Sequence, residues 1–221
     1  TEKRQPASSV WRCSSPNMEM LNSLGIPLLF IDAAYDTDFT QINADFLMME
    51  NRISVYNMTD ALIQKGLTRL AFAGDRRHCR SFFERWQGFT DAMTENGLTP
   101  CTTQFTDTNV FAEAALLDET LKRTLKLPEV FICANDFIAI DLIRALRRQG
   151  IRVPEDIFIT GFDNSAESRI IEPHLTTVDI PSSKMGYIAA DLLLSRIREP
   201  KTPYRIMYVR TNAKYRESAI I

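Results

Sequence analysis

Residues 128–164, PEVFICANDFIAIDLIRALRRQGIRVPEDIFITGFDN, read as a strand, a helix and a second strand, with each strand running straight into a polar pair. Val130 to Ala134 is an apolar run of strand length. Ile138, Leu142, Ala145 and Leu146 then recur at three- and four-residue spacing until Gly150, a residue suited to ending a helix. Ile157 to Phe162 is the return strand. Two strands joined by one crossover helix are parallel, and ligands of open α/β sheets gather at the carboxyl ends of parallel strands. Asn135-Asp136 and Asp163-Asn164 both fall there.

Outward from this unit the same alternation recurs. Leu28 to Ile31 is a strand ending on Asp32, Asn51 to Lys65 a helix, and Leu70 to Ala73 a strand ending on Gly74-Asp75. Arg80 to Asn96 carries Phe83, Trp86, Phe89 and Met93 at helical spacing and is closed by Gly97. Phe111 to Lys126 and Ser182 to Arg198 read as further helices, His174 to Ile180 as extended chain and Arg205 to Arg210 as a last strand. No repeat or low-complexity tract interrupts the pattern.

Composition narrows the function classes. The 221 residues are 45% hydrophobic, enough for one large or two small cores, and carry a formal charge of −2, without the basic footprint of a nucleic-acid surface. Apolar runs are strand-sized, well short of the roughly 20 residues a membrane helix needs. The polar start, Thr1 to Ser9, is unlike a signal peptide. Cys13, Cys79, Cys101 and Cys133 are too widely spaced for a zinc ribbon or a CxxC pair, which suggests reduced thiols in a cytoplasmic protein. With His78 and His174 as the only histidines, no metal site is expected. No G-x-S-x-G elbow, G-x-G-x-x-G or phosphate loop is present, so neither a cofactor nor catalysis is expected.

Several motifs in order resemble the effector-binding core of the lactose-repressor/galactose-repressor (LacI/GalR) family of bacterial transcription regulators. They are CANDFIAIDLIRALRRQGIRVPEDIFITGFDN, PHLTTVDIPSSKMGYIAADLLL and a closing YRES; Arg85-Trp-Gln-Gly88-Phe89 resembles the family's R-x-x-G-F, and Met49-Glu50-Asn51 stands where it has V-D-N. The resemblance spans residues 20–218. It implies two Rossmann-like lobes with parallel sheets, a periplasmic binding protein-like α/β fold with a ligand in the cleft, and a homodimer. Its three crossovers are expected near Met48, Thr177 and Tyr204. That divides the chain into an amino lobe of residues 1–48 with 178–204 and a carboxy lobe of residues 49–177 with 205–221. Thr1 to Leu24 stand in place of two strand-helix units of the family, so the amino lobe is expected to be truncated.

The resemblance also implies roles. Arg85 forks hydrogen bonds onto the ligand, Asp163 accepts from a hydroxyl pair, and Asn135 both donates and accepts. Ser81, one turn before Arg85, lines the pocket, and Asp32 faces it from the other lobe. Phe137 and Phe105 are candidates for stacking on the ligand. A polyhydroxy effector suits that set, since hydroxyls need carboxylates to accept and amide or guanidinium groups to donate. Spacing alone leaves plainer readings open: Asn135 or Asp136 as helix caps, Asp163 and Asn164 as turn residues, Arg85 as a solvated position, Ser81 as a helix-start residue. The basic run Arg76, Arg77, His78 and Arg80 is either a phosphate site for a phosphorylated sugar or a solvated loop.

The expected function is the ligand-sensing domain of a LacI-type regulator. Its partners would be a small effector (sugar, sugar phosphate or nucleobase-like) and operator DNA, reached through a head domain outside this chain, with no membrane involvement. A sugar-binding protein serving a transporter is the alternative, and an enzyme the third reading.

Overall fold

A computed structural model describes residues 20–106 and 108–220. Cys13 and the rest of the segment 1–19 lie outside the described residues. In chain order the regular elements are β1 (Leu29–Ile31), β2 (Asp45–Met49), α1 (Arg52–Gln64), β3 (Leu70–Ala73), α2 (Arg80–Glu95), α3 (Ala114–Arg123), β4 (Val130–Cys133), α4 (Asp136–Arg148), β5 (Phe158–Thr160), β6 (Thr177–Asp179), α5 (Ser182–Arg198), β7 (Ile206–Val209) and β8 (Asn212–Lys214).

The quoted unit forms as its spacing predicts. β4 is fully buried and α4 turns Ala139, Leu142, Ile143 and Leu146 inward. Gly150, at φ 75°, lets the Ile151 N–H reach back 3.0 Å to the Leu146 carbonyl and close the helix. β3, β4 and β5 pair in parallel. Parallel bridges from Thr160 to Thr176 and from Asp163 to Asp179 carry the sheet on to β6, which pairs antiparallel with β8. One sheet face packs Phe131, Phe105, Leu142 and Leu146 under α3 and α4; the other packs Phe72, Phe89, Met58 and Leu62 under α1 and α2. A sheet buried on both faces needs apolar strands throughout, which is why these read as continuous runs. Gly88 has a packing reason: a Cβ there would lie 2.1 Å from the Arg52 carbonyl oxygen, so α2 could not approach α1 this closely.

In the amino lobe, β1, β2 and β7 form a parallel sheet of three strands among the described residues. β2 alternates cleanly: Phe46 and Met48 pack with Phe30, Phe39 and Ile42, while Leu47 faces Met185, Ala189 and Leu192 of α5. Asp45 opens the strand fully buried, its carboxylate 2.9 Å from Arg196 at the far end of α5 and 3.3 Å from Arg205.

Two expected boundaries are corrected by strand pairing. β7 does not return to the carboxy lobe at Tyr204; it pairs with β2, with the Phe46 N–H on the Arg205 carbonyl and the Glu50 N–H on the Val209 carbonyl, both at 2.8 Å. The physical reason is that β2 needs a partner along its second edge, which an apolar IMYV segment can supply to either lobe. β6 in turn stays with β8 in the carboxy sheet. The chain therefore crosses just after Met49, between Asp179 and Ser182, and between Val209 and Asn212. No helix among the described residues is long and apolar enough to cross a membrane.

Candidate functional site

The carboxyl ends of β4 and β5 converge on one α2 side chain, Arg85. Its guanidinium is 2% exposed and lies 3.6 Å from the Phe162 ring centroid. Nε donates to Asn51 Oδ1 at 2.9 Å and Nη1 to the Ala134 carbonyl at 2.6 Å, with Asp163 Oδ1 3.4 Å from the same nitrogen. Among the described residues Nη2 meets the Met49 thioether, 3.4 Å away. Sulfur is a weak acceptor, so this nitrogen retains donor capacity. Asn51, at the first crossover, is itself pinned by donating to the Met49 carbonyl at 2.8 Å and to Glu84 at 3.0 Å.

Asp163 follows β5 in a strained backbone conformation, φ 117°. Burial pushes its carboxyl up; Arg85 offsets part of this, the charges of Asp136 and Asp32 add to it, and the result is about 6. Its side chain remains about one third exposed, 32%, so an external molecule can reach it. Asn164, also at positive φ, is committed to the fold: it donates to Asp179 at 2.7 Å and accepts from Arg216 at 2.6 Å.

Asp32 comes from the other lobe. It ends β1 at φ 64°, and its carboxylate accepts from the Ser81 N–H at 3.2 Å and the Ser81 hydroxyl at 2.6 Å. Ser81 is buried in the first turn of α2, one turn before Arg85. Asp32 with Ser81 and Arg85 with Asp163 thus form two polar pairs, the second carried one turn further along α2. Beside it, burial and then the Asp32 charge push the Cys79 thiol up to about 12, which leaves it protonated and unreactive.

Asn135 and Asp136, adjacent in sequence, do different things. Asn135 is the cap of α4, its Oδ1 accepting from the Ile138 N–H at 3.0 Å, so its amide N–H groups remain available. Asp136 is fully buried and its carboxylate takes the Thr177 hydroxyl and the Ser165 N–H. Gly161 makes room for it, since a Cβ there would stand 2.3 Å from Asp136 Oδ1.

The structure therefore brings Arg85, Asp163, Ser81 and Asp32 together, with Asn135 at the adjoining strand end. Phe137 is 56% exposed in the first turn of α4. Phe105 is a correction: it is fully buried, edge-on to Phe131 at 4.8 Å, because the segment before α3 folds into the core. In the basic run, Arg76 lies over Trp86 at 4.6 Å and Arg80 pairs with Glu84 at 3.0 Å. Sequence reasoning missed Asn51 and Phe162 as the residues that set Arg85; the polar residue directly after a crossover strand was the available signal.

A groove of about 610 Å³ between α1, α2 and Tyr208 is not the candidate. Its polar groups already pair with one another: Arg52 with Asp91 at 2.6 Å, Tyr56 with Glu95 at 2.5 Å and Tyr208 with Glu84 at 2.8 Å.

Residues 59–219 match the family described as periplasmic binding protein-like domain. The chain belongs to that family. It is 27% identical over 197 residues to the ribose operon repressor of Haemophilus influenzae, covering 89% of this chain and 58% of the relative. It is 30% identical over 191 residues to the HTH-type transcriptional repressor PurR of Actinobacillus pleuropneumoniae, covering 86% and 55%. The chain spans a little over half the length of these relatives. Among solved structures, a transcriptional regulator CelR–cellobiose complex superposes with a TM-score of 0.81 at 26% identity over 94% of this chain and 63% of that one. The relatives are named as repressors, and the shared fold is that of the periplasmic binding protein-like domain.

Proposed function

We propose that this chain is the sensor core of a LacI-type transcriptional regulator and holds a small hydroxyl-rich effector between Arg85, Asn135 and Asp163 on one side and Asp32 and Ser81 on the other. Lobe closure on the ligand is passed to DNA-binding heads outside this sequence, which act on operator DNA. The working unit is a cytoplasmic homodimer, so light scattering is expected to give twice the chain mass.

The observation that carries the reading is Arg85. A guanidinium buried at strand ends, with one nitrogen left facing a thioether and a partly exposed carboxylate beside it, is an arrangement that a ligand oxygen completes. The repressor names of the relatives favour a regulator over a transporter's binding protein.

A melting-temperature screen of sugars, sugar phosphates and purines tests the reading, because a ligand that binds only the folded form raises the midpoint. One class is expected to stabilise the wild type. Asp163→Ala is expected to weaken its binding roughly 10- to 100-fold, the loss of one charged hydrogen bond of about 1.5–3 kcal/mol. Equal stabilisation of the wild type and Asp163→Ala overturns the assignment.

A further inference from the structure

We infer that Asp32 makes the cleft selective for an uncharged effector, by filling with its own carboxylate the anion-binding position at the start of α2. This rests on the reading of the cleft as an effector site and adds the charge class of the ligand.

The start of a long helix attracts phosphate and carboxylate groups, because first-turn N–H groups lack intrahelical partners and the helix dipole is positive there. α2 has 16 residues, and its cap position, Cys79, contributes no side-chain hydrogen bond. The other lobe supplies what is missing. The Arg80 N–H donates to the Ala33 carbonyl at 2.8 Å, and the Ser81 N–H and hydroxyl donate to Asp32 Oδ1 at 3.2 Å and Oδ2 at 2.6 Å. Two first-turn N–H groups that would greet a ligand's phosphate are therefore taken by the opposite lobe, that of Ser81 by a residue that carries the same charge as the phosphate.

Charge balance points the same way. Asp32 and Asp163 bring two carboxylates, close enough that the charge of Asp32 is felt at Asp163, while Arg85 is the cation bonded to Asp163. Arg85 already serves Asn51, Ala134 and Asp163. A phosphate ester entering here meets like charge and finds the Arg80 and Ser81 N–H groups already taken. A neutral polyol loses nothing by this arrangement, since its hydroxyls donate to the carboxylates and accept from Nη2 of Arg85 and the Asn135 amide.

Calorimetric titration of the full chain with D-ribose against D-ribose 5-phosphate, and D-glucose against D-glucose 6-phosphate, tests the proposal in the wild type, Asp32→Asn and Asp32→Gly. Both variants tolerate the positive φ at this position, and Asn removes the charge while keeping the shape. The neutral member of the bound pair is expected to bind wild type at least tenfold tighter than its phosphate. Asp32→Gly should narrow that ratio at least tenfold, and Asp32→Asn in the same direction by less. A purely structural role for Asp32 would weaken both sugars alike and leave the ratio unchanged, which overturns the proposal, as does a wild type that prefers the phosphate. Inorganic phosphate, read by melting temperature against chloride at equal ionic strength, is the second probe. It should stabilise Asp32→Gly and leave wild type unmoved. If neither sugar pair binds the wild type, the effector reading is left to the wider ligand screen and the inorganic phosphate arm alone decides here: a gain in Asp32→Gly upholds the occupied helix start and no gain overturns it.

Discussion

Asp136 and Thr177 are joined by a 2.5 Å hydrogen bond, hydroxyl to carboxylate, at the point where β6 meets the start of α4. The second carboxylate oxygen takes the Ser165 N–H at 2.7 Å, so one buried side chain fixes both the loop after β5 and the strand beyond it. Burial pushes the Asp136 carboxyl up, and these two partners hold it back only in part. Asp136→Ala leaves the buried Thr177 hydroxyl and the part-buried Ser165 N–H without acceptors, which costs about 1–3 kcal/mol for the buried group. Urea unfolding is expected to show that loss, with Asp136→Asn milder. Unchanged stability in Asp136→Ala would refute a structural role.

Asn135 has the complementary profile. As the cap of α4 it contributes about 0.5–2 kcal/mol, lost in Asn135→Ala. Asn135→Ser separates the two roles, since a serine oxygen still caps but brings no amide donors. Near-normal stability with weakened effector binding is the expected outcome, measured by urea unfolding and calorimetry on the same preparation.

Asp163 predicts a pH dependence. Its carboxyl, raised from 3.8 to about 6 by burial against the partial offset of Arg85, stays protonated in the folded chain where the unfolded chain has already ionised. The stability it contributes therefore falls as pH rises from about 4 to about 6 and is level above that. Ligand hydroxyls that donate to the carboxylate favour the ionised form, so effector affinity should rise with pH through about 6. Binding near that pH should release a proton, visible as a calorimetric enthalpy that varies with the buffer's ionisation heat. Asp163→Asn should abolish both effects; affinity that is flat with pH in the wild type counts against a hydroxyl donating to this carboxylate.

Much of this was legible in local pattern. β3 and α5 lie where spacing puts them, Leu70–Ala73 and Ser182–Arg198, and the polar pairs sit at strand ends as the crossover argument requires. What local pattern does not contain is a partner far away in the chain. Nothing near Asn135 and Asp136 says which one caps α4, because the answer depends on Thr177 and on the absence of a Cβ at Gly161. β7 reads as a strand but not as belonging to β2, and β8, the polar segment Asn212–Lys214, is a strand only because β6 lies beside it. α3 starts at Ala114 rather than Phe111, since Phe105 and its neighbours fold inward ahead of it. Phe105 itself was misjudged for the same reason.

Asp45 is the least strand-like residue of β2, and it anchors distant parts of the amino lobe. It is fully buried, and burial alone would push its carboxyl up; hydrogen bonds from Arg196 and Arg205 outweigh this and hold it at about 2. Arg196 is equally buried and also donates to the carbonyls of Thr202 and Pro203, with its guanidinium 4.5 Å from the Tyr204 ring centroid. One ion pair thus ties the end of α5, the turn after it and the start of β7 to β2. Removing the carboxylate strands a buried cation, so Asp45→Ala is expected to cost about 3–5 kcal/mol. Because the folded value lies below the unfolded 3.8, the stabilisation is complete above about pH 5 and is lost as pH falls toward 2. Urea unfolding of the wild type at a series of pH values should therefore show a decline over that window which Asp45→Ala lacks. Parallel curves for the two proteins would mean that the pair does not hold the lobe together.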